Sequence, residues 1–419
     1  MAKPVGGNVS DGSFHDIVDF TEVNEAWRRA EFSSDTGGLG QEFFHEGTVV
    51  RLDGAEHARR RRAMGALLKQ RGHKQFRDTA LIPTAEALLA EVLRSPDPDG
   101  YARMNLMRWG LRVNFRLGAA LVGFDEGRAG AGAEELLALM ETLLRGRPSN
   151  LAVSTGRFDA ENQELKEAID ARNEILERYY APALARRQAI VEKIRAGQAP
   201  ADALPLDLLS LIASGADPAW SDPATAEREA LFLFNAGVHT TTVSLYWTLR
   251  ELFGWWQTHP DERALIGDDD YLLGAASEAM RLHPVTPGFS RKAVADVTLT
   301  RGSTIGDGEL VAIRSGPANL DPEVFGPDAG SFNPHRVVAA PTRGYGFAFG
   351  AGTHLCYGLP VVMGVQGIDG SLGYMLKRLL GAGLEPDPAG PAQAPVEQSR
   401  GGWAPEPAEY AVRFAVESG

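Results

Sequence analysis

The sequence predicts a mainly α-helical protein with a small β region late in the chain. Long segments rich in Leu and Ala carry apolar residues at helical spacing and contain few turn signals. Three short segments in the last third of the chain alternate apolar and polar residues, as half-buried strands do. Hydrophobic residues make up 44% of the 419 residues and charged residues 23%, a balance typical of a globular protein with a large core.

Eight segments have a helical pattern long enough to predict a helix. They are residues 21–29, 56–68, 83–93, 133–144, 162–194, 206–213, 223–256 and 271–282. Polar breaks at residues 147–159 and 195–205 separate the helices in the middle of the chain. The predicted strands are residues 294–302, 308–315 and 408–416. Length alone leaves the number of domains open.

Charge and composition exclude several function classes. The formal net charge of −13 argues against a general nucleic-acid-binding protein, which needs a surplus of Lys and Arg on its binding face. No apolar run approaches the roughly eighteen residues of a membrane helix, and the first residues lack the layout of a signal peptide. We therefore expect a soluble, cytoplasmic protein with neither nucleic-acid nor membrane partners.

A single cysteine, Cys356, stands in the Gly-rich segment FAFGAGTHLCYG. One cysteine excludes an intrachain disulfide and any multi-cysteine metal site, and on composition alone it would be a small buried hydrophobic residue. Glycines on both sides, however, let the backbone turn tightly beneath a flat ring. Backbone N–H groups freed by such a turn can stabilise a thiolate, and Phe349 would shield it from water. Thiolate ligation of haem iron suits this arrangement.

The segment resembles the haem-binding loop of the cytochromes P450. Phe349, Gly352, Cys356 and Gly358 meet every position of that family's F-x-x-G-x-x-x-C-x-G pattern. The resemblance implies the cytochrome P450 fold and haem b (iron protoporphyrin IX) as cofactor. It also implies Cys356 as the iron ligand, with Phe349, Gly350 and Gly358 beside the haem.

The resemblance extends over about residues 19–414, so we expect a single P450-like catalytic domain, 1–419. Only about twenty residues precede the first matching segment, which predicts that the N-terminal strands are shortened or rebuilt. Glu278 and Arg281 have the E-x-x-R spacing that the family places before the cysteine loop, and Arg336 matches its second arginine. By the resemblance, these three form a buried ion network that supports the cysteine side of the haem.

Haem propionates need cationic partners where they are partly buried. The resemblance supplies four. His57 and Arg61 lie one turn apart on a predicted helix, Arg291 stands in the segment HPVTPGFSR, and His354 stands two residues before the cysteine. Without the other three, each of these residues would be interpreted as a charged side chain exposed to solvent.

The segment AGVHTTT, residues 236–242, lies midway in a long helical pattern. A small pair followed by a hydroxyl residue lets a helix open locally, and the resemblance implies that dioxygen is activated there. Ala236, Gly237 and Thr240 match the family's A/G-G-x-D/E-T form, but His239 stands where the family has an acid. Because histidine can relay protons, Thr240 and His239 are the candidate catalytic residues. Alternatively, His239 is an ordinary helix residue bonded to a carbonyl.

The resemblance places mainly aromatic and apolar residues around a substrate pocket. They are Phe43, Phe44, Phe234, Val238, Thr286, Phe289 and Trp403. They predict an apolar or aromatic small molecule as substrate.

Basic residues form an island near the first matching helix of this acidic protein. They are Arg59, Arg60, Arg62, Lys69, Arg71 and Lys74. Since no flavin or iron–sulfur segment is fused to the chain, the resemblance implies electrons from a separate ferredoxin and its reductase, and the island would receive an acidic ferredoxin. The alternative is a solvated helix face.

Glycines follow the cysteine at strict three-residue spacing, at Gly364, Gly367, Gly370 and Gly373. Glycine inside a helix costs about 1 kcal/mol relative to alanine, so we expect a helix packed closely against another backbone.

Three functions remain open from the sequence. The first is a monooxygenase that inserts one atom of O2 into its substrate. The second is a haem-thiolate enzyme with altered chemistry, such as peroxide use, coupling or nitration, for which His239 is the reason. The third is a non-catalytic haem protein that binds or senses a ligand.

Overall fold

The computed structural model describes residues 14–37, 41–146, 161–365, 367–390 and 409–416. Helices dominate these residues, as predicted. The first nine are α1 (Phe20–Ala26), α2 (Gln41–Phe44), α3 (Gly54–Leu68), α4 (Gln70–Phe76), α5 (Ile82–Leu93), α6 (Leu106–Val122), α7 (Gly130–Arg145), α8 (Gln163–Ile175) and α9 (Ala181–Arg195). They are followed by α10 (Leu208–Ser214), α11 (Pro223–Ala236), α12 (Val238–Thr258), α13 (Asp269–Leu282), α14 (Ser315–Ala318), α15 (Pro322–Phe325), α16 (Leu359–Met363) and α17 (Ser371–Gly381).

All eight predicted helices are present, with ends shifted by a few residues. The helix predicted at residues 162–194 corresponds to α8 and α9. These two helices are continuous through a π-helical turn at Leu176–Tyr180. Capping residues set several ends. Asp222 accepts a hydrogen bond from the backbone N–H of Thr225 at 3.0 Å, and Pro223 begins α11.

Helix α6 was not predicted, because Gly110 and Gly118 weaken its pattern. The structure shows why these positions are glycine. A Cβ at Gly118 would lie 2.9 Å from the carbonyl oxygen of Phe234, and a Cβ at Gly110 would lie 3.1 Å from Thr242 Cγ2. Both glycines therefore let α6 pack closely against α11 and α12.

The strands form three small sheets. The first contains β1 (His15–Ile17), β7 (Leu310–Ile313), β4 (Phe289–Ala293) and β2 (Phe32–Ser33), in that order. The second contains β3 (Tyr101–Asn105), β9 (Ala411–Ala415) and β8 (Glu385–Pro386), and the third pairs β5 (Val297–Thr298) with β6 (Thr304–Ile305). The three predicted strands correspond to β5, β7 and β9.

The N-terminal edge of the first sheet is short. In residues 14–19 the structure describes one strand, β1, which has three residues and pairs parallel to β7 with His15 opposite Val311.

Two hydrophobic clusters meet at the junction of α11 and α12. The first packs α5, α6, α12, α13 and α17 together, and the second packs α6, α7, α8, α10 and α11. Phe234 and Val238 belong to the second cluster, whereas Val243 and later residues of α12 belong to the first. The chain thus passes from one cluster to the other around Gly237. Among the helices described, we find none with the length and apolar character needed to cross a bilayer.

Candidate functional site

The cysteine loop turns so that backbone N–H groups point at the sulfur. The N–H of Cys356 donates to the carbonyl of Phe349 at 2.8 Å, and the N–H groups of Gly358 and Leu359 approach the thiol. The cysteine side chain is open to solvent on one side and enclosed by protein elsewhere, and this burial raises the pKa of its thiol. The two N–H groups and the charge of Arg61 oppose that rise, so they favour the thiolate. An open face beside a stabilised sulfur suits an axial ligand.

Two glycines of the loop are required by geometry. Gly350 and Gly352 have φ of +66° and +65°, in the left-handed region that side chains disfavour. A Cβ at Gly352 would lie 2.4 Å from the carbonyl oxygen of Trp27, and a Cβ at Gly350 would lie 3.1 Å from its ring. Trp27, which the sequence analysis did not single out, is therefore the surface on which the loop folds.

Phe349 lies beside the cysteine and is partly buried. Its ring meets that of Tyr345 edge-on, with 5.0 Å between ring centroids. The ring packs against the first hydrophobic cluster, and the predicted shielding of the sulfur remains a proposal.

The expected ion network is present on the same side. Arg281 donates from Nε and Nη2 to the two carboxylate oxygens of Glu278, each at 2.7 Å. Arg336 Nε also donates to Glu278 Oε1 at 2.7 Å. Glu278 is 2% exposed and Arg281 is 0% exposed, so neither charge could remain there unpaired.

Asn319 connects this network to the cysteine loop. Its amide nitrogen donates to the carbonyl of Arg281 at 3.1 Å, and its amide oxygen accepts from the N–H of Phe347 at 2.8 Å. Arg281 in turn donates to the Asn319 carbonyl at 2.7 Å. The sequence analysis missed Asn319 because these partners are distant in sequence.

His57 and His354 stack, with 4.1 Å between ring centroids. His354 Nε2 lies 3.1 Å from Asp53 Oδ1 and 3.0 Å from Ser34 Oγ. Burial, together with the nearby His354 and Arg61, lowers the pKa of His57 to about 4. Burial opposes ionisation of Asp53, yet hydrogen bonds from His354 and the two serines at 33 and 34 hold its pKa below the ordinary value.

Arg61 and Arg291 complete the group of predicted propionate contacts. Arg61 Nη1 donates to the carbonyl of Leu355 at 2.9 Å, and its guanidinium lies 4.8 Å from the ring centroid of Tyr357. Arg291 is 8% exposed, lies over the ring of Trp27 at 5.0 Å, and donates to the carbonyl of Ser290 at 2.9 Å. Burial lowers the pKa of Arg291 to about 10.

The helix predicted to activate oxygen is interrupted at Gly237. Helix α11 ends at Ala236 and α12 begins at Val238, so Gly237 interrupts the helical run. Ala236 and Gly237 are exposed although their neighbours are buried, and a Cβ at Gly237 would meet nothing within 4 Å. Thr240 Oγ1 donates to the carbonyl of Ala236 at 3.0 Å, and His239 beside it is partly buried.

Comparison with solved structures shows the fold. CYP109E1 from Bacillus megaterium aligns with a TM-score of 0.69 at 18% identity, over 97% of this chain and 94% of that one. The family model described as Cytochrome P450 matches residues 266–363, which include Glu278, Arg281 and Cys356. The chain thus has the cytochrome P450 fold, and residues 266–363 are similar in sequence to that family.

Curated relatives match this chain over shorter stretches. It is 33% identical over 158 residues to the 7-ethoxycoumarin O-deethylase of Helianthus tuberosus, a stretch that covers 32% of this chain and 31% of that protein. It is 35% identical over 105 residues to the 6-deoxyerythronolide B hydroxylase of Saccharopolyspora erythraea, covering 25% of this chain and 24% of that protein. The chain thus spans 31% and 24% of the lengths of these relatives.

The P450 fold implies a haem, and the residues of this chain fit one. Among the described residues, Arg291 has no ion pair, although it is buried and its pKa is lowered. His57 is held neutral next to Arg61 and His354. A buried arginine without an ion pair is unfavourable by itself, and a propionate anion beside Arg291 would relieve it. Cys356 would supply the thiolate that the iron of such a haem needs.

The predicted pocket residues divide into three groups. Phe234 and Val238 are 0% exposed and Phe44 is 6% exposed, because all three pack into the second hydrophobic cluster. Phe234 contacts Phe115 with 5.1 Å between ring centroids. As pocket residues, Phe234, Val238 and Phe44 stay predictions, and in this structure their side chains pack against other apolar side chains.

The other predicted pocket residues are partly exposed or lie outside the described residues, and they too stay predictions. Phe43, Thr286 and Phe289 are partly exposed, and Phe289 packs edge-on against Trp27 at 5.0 Å. Trp403 lies outside the described residues.

The basic island is smaller than predicted. Arg62, Lys69, Arg71 and Lys74 are exposed, and Lys74 pairs with Asp78 at 2.5 Å. Arg60, however, is 1% exposed and pairs with Glu229 in the interior, so its assignment to the surface is wrong. Arg59 is half-buried and lies 3.2 Å from Asp217.

The glycines after the cysteine do not form one helix. Helix α16 ends at Met363, Gly364 and Gly367 have φ of +94° and +78°, and α17 begins at Ser371. A Cβ at Gly364 would lie 2.5 Å from the carbonyl oxygen of Ile368. The expected close approach of two backbones is present, but it joins Gly364 to Ile368 in a turn and not one helix to another element.

Proposed function

We propose that the chain, as one catalytic unit of residues 1–419, is a haem-thiolate monooxygenase acting on an apolar or aromatic small molecule. Haem b bound at Cys356 would supply activation of O2 and transfer of one oxygen atom. Two electrons and two protons would reduce the other atom to water. The observation that carries the proposal is the cysteine loop, which brings the N–H groups of Gly358 and Leu359 and the charge of Arg61 close to the exposed Cys356.

The propionate side would be held by the cationic group. Arg61 and Arg291 would pair with the carboxylates, and the stacked His57 and His354 would donate hydrogen bonds to them. Gly350, Phe349 and Gly358 would lie beneath the ring, and Ala236 above it. The absence of side chains at the two glycines supports close approach of the ring to the backbone.

Thr240 and His239 would manage protons on the opposite side. The Thr240 hydroxyl donates to the carbonyl of Ala236, so its oxygen keeps lone pairs that can accept a hydrogen bond from bound water or substrate. His239 stands next to it and would exchange protons with solvent. Its imidazole would replace the acid that the family uses at this position.

Phe43, Thr286 and Phe289 are the proposed substrate contacts, because each is partly exposed. The relatives are named for O-deethylation of 7-ethoxycoumarin and for hydroxylation of 6-deoxyerythronolide B. These names support oxidation of a small organic molecule as the reaction class.

Electrons would come from a separate ferredoxin and its reductase in the cytoplasm. Arg62, Lys69, Arg71 and Lys74 are exposed on α3 and α4 and at the junction between them. Helix α3 also contacts the cysteine loop, since the Tyr357 hydroxyl donates to the carbonyl of Arg61 at 3.1 Å. An acidic ferredoxin would thereby bind near the sulfur.

The carbon monoxide spectrum tests the proposal. Reduced protein under carbon monoxide should show the strongly red-shifted absorption band of thiolate ligation, and Cys356→Ser should abolish it. A variant that keeps the band would refute thiolate ligation by Cys356. A screen for small molecules that shift the haem from low to high spin, followed by turnover with reductant, separates an enzyme from a ligand sensor, which would bind but form no product.

Altered chemistry is the second candidate, and His239 favours it. If the enzyme uses peroxide, product should form with hydrogen peroxide and without any electron donor. His239→Glu would restore the acid of the family and should shift activity from peroxide to O2. Equal peroxide activity in both proteins would remove this reason for the second candidate.

A further inference from the structure

Helix α16, directly after the cysteine, is too short to be stable by itself. It has five residues, Leu359–Met363, whereas an isolated helix is marginal in water below about 12–15 residues. None of the five is fully buried, so packing in a core fixes the helix only in part. Within it, the N–H of Val362 donates to the carbonyl of Gly358 at 3.1 Å. The N–H groups of Gly358 and Leu359 that approach the thiol therefore depend on what holds the ends of this helix.

After α16 the chain doubles back through residues 364, 365 and 367–370, which we call the post-cysteine turn. Val365 and Ile368 exchange two backbone hydrogen bonds, of 3.0 and 2.9 Å. Gly370 then returns to the end of α16, where a Cβ on it would lie 2.2 Å from the carbonyl oxygen of Val362. The turn is thus in direct backbone contact with α16, and a shift of the turn would move the helix.

His73 on α4 holds this turn. Its Nε2 lies 3.1 Å from the carbonyl oxygen of Asp369, and because a carbonyl can only accept, Nε2 must carry the proton. His73 is 1% exposed, and its Nδ1 has no hydrogen-bond partner among the described residues. A buried imidazole is more costly than an apolar side chain unless its polar atoms are bonded. The bond to the Asp369 carbonyl is therefore what a Leu or Phe at this position would lack.

Helix α4, which carries His73, is itself packed tightly against α3. A Cβ at Gly72 would lie 2.4 Å from a backbone carbonyl oxygen of α3. Helix α3 also holds the chain on the other side of the cysteine, where Arg61 donates to the carbonyl of Leu355 at 2.9 Å. Cys356 thus lies between two anchors on one pair of packed helices, with Arg61 before it and His73 after it.

We propose that His73 is a positioning residue for the sulfur of Cys356. Through its bond to Asp369 it fixes the post-cysteine turn and, with the turn, α16. The N–H groups of Gly358 and Leu359 consequently stay directed at the sulfur.

This inference rests on the proposed haem function, because it concerns the ligand of the iron. Hydrogen bonds to a ligating thiolate withdraw negative charge from the sulfur and so raise the reduction potential of the iron. Loss of the bond from His73 should therefore lower that potential.

The reduction potential of the haem tests the proposal without using activity. His73→Leu removes the donor and keeps much of the volume, and we expect a shift to a more negative potential. His73→Gln can donate to the Asp369 carbonyl again, since its amide reaches about as far as Nε2, and should restore the potential. His259→Leu is the matched control, because it removes an exposed histidine that also bonds a backbone carbonyl, that of Trp255 at 3.2 Å. The control should keep the potential of the parent protein.

Hydrogen exchange of the haem-bound protein tests the structural step. In His73→Leu the amides of residues 357–365 should exchange at least about fivefold faster, which corresponds to one hydrogen bond of ordinary net strength. His73→Gln and His259→Leu should exchange as the parent protein does. If His73→Leu does not fold, His73→Asn, whose amide is too short to reach the carbonyl, replaces it and should show the same two changes.

Three results would overturn the role of His73. The first is an unchanged potential in His73→Leu, even if exchange becomes faster. The second is a His73→Gln variant that behaves like His73→Leu, because the packing of the ring and not its hydrogen bond would then matter. The third is an equal change in His259→Leu.

The two proposals fail in different ways. A parent protein without the thiolate carbon monoxide band would refute the proposed haem-thiolate function. A parent protein with that band, whose potential and exchange are the same in His73→Leu, would refute the role of His73 alone.

Discussion

The cysteine side and the oxygen side of the site are built in different ways. On the cysteine side, two glycines with positive φ fold onto Trp27, and Glu278 is bonded to both Arg281 and Arg336. On the opposite side, around Gly237 and Thr240, Gly237 has open space beside it and the Thr240 hydroxyl donates to the carbonyl of Ala236 one turn earlier. An added side chain would clash at Gly350 or Gly352 on the first side, whereas the second side has space for a side chain at Gly237.

This difference indicates where stability and where chemistry are determined. Substitutions on the cysteine side should remove buried pairing or create clashes, so they should reduce folding and haem content together. Substitutions around Gly237 and Thr240 should leave the fold intact and should change the fraction of electrons that ends in product. Three variants test this division.

Glu278→Gln should have the largest effect on stability. It leaves Arg281 and Arg336 with a neutral partner in the interior, which typically costs about 3–5 kcal/mol. Urea unfolding measures the loss, and haem content per protein should fall with it. Glu174→Gln removes an exposed partner of Arg178 and should cost less than about 1 kcal/mol. Similar losses in both variants would contradict the special role of the buried network.

Gly352→Ala should have a somewhat smaller effect. The added Cβ would meet the Trp27 carbonyl oxygen at 2.4 Å with φ at +65°, so the loop must shift, at a cost of about 2–4 kcal/mol. The fraction of protein with the thiolate carbon monoxide band should drop. Gly373→Ala is the control, because it lies in α17 with nothing within 4 Å and should stabilise the helix by up to about 1 kcal/mol. A normal band in Gly352→Ala would show that the loop does not depend on Trp27.

Thr240→Ala should change stability least. The fraction of electrons that ends in product should fall at least about tenfold, with hydrogen peroxide rising, while substrate affinity stays nearly constant. Thr258→Ala, at the exposed end of the same helix, loses a similar bond to a helix carbonyl and should keep normal coupling. If Thr240→Ala retains normal coupling, proton delivery must run through water or the substrate, and the oxygen side would need a different mechanism.

Local pattern was sufficient for much of the fold and for the cysteine side. The eight helices were predicted from apolar spacing, since a helix brings residues three and four apart onto one face. Cys356 and the Glu278–Arg281 pair were predicted from their resemblance to the sequence patterns of the cytochromes P450. In each case the partners lie within a few residues of one another, so the sequence alone contains the geometry.

The tertiary structure decided which face each side chain presents and which distant groups it meets. The sequence placed Phe234 and Val238 near the haem, but α6 packs so closely at Gly118 that both side chains turn into the second cluster. Trp27, Asn319 and the partners of Arg60 were likewise not predictable, because they meet residues far away in the chain. Such contacts depend on how whole helices pack, and packing is a property of surfaces that come together only when the chain is folded.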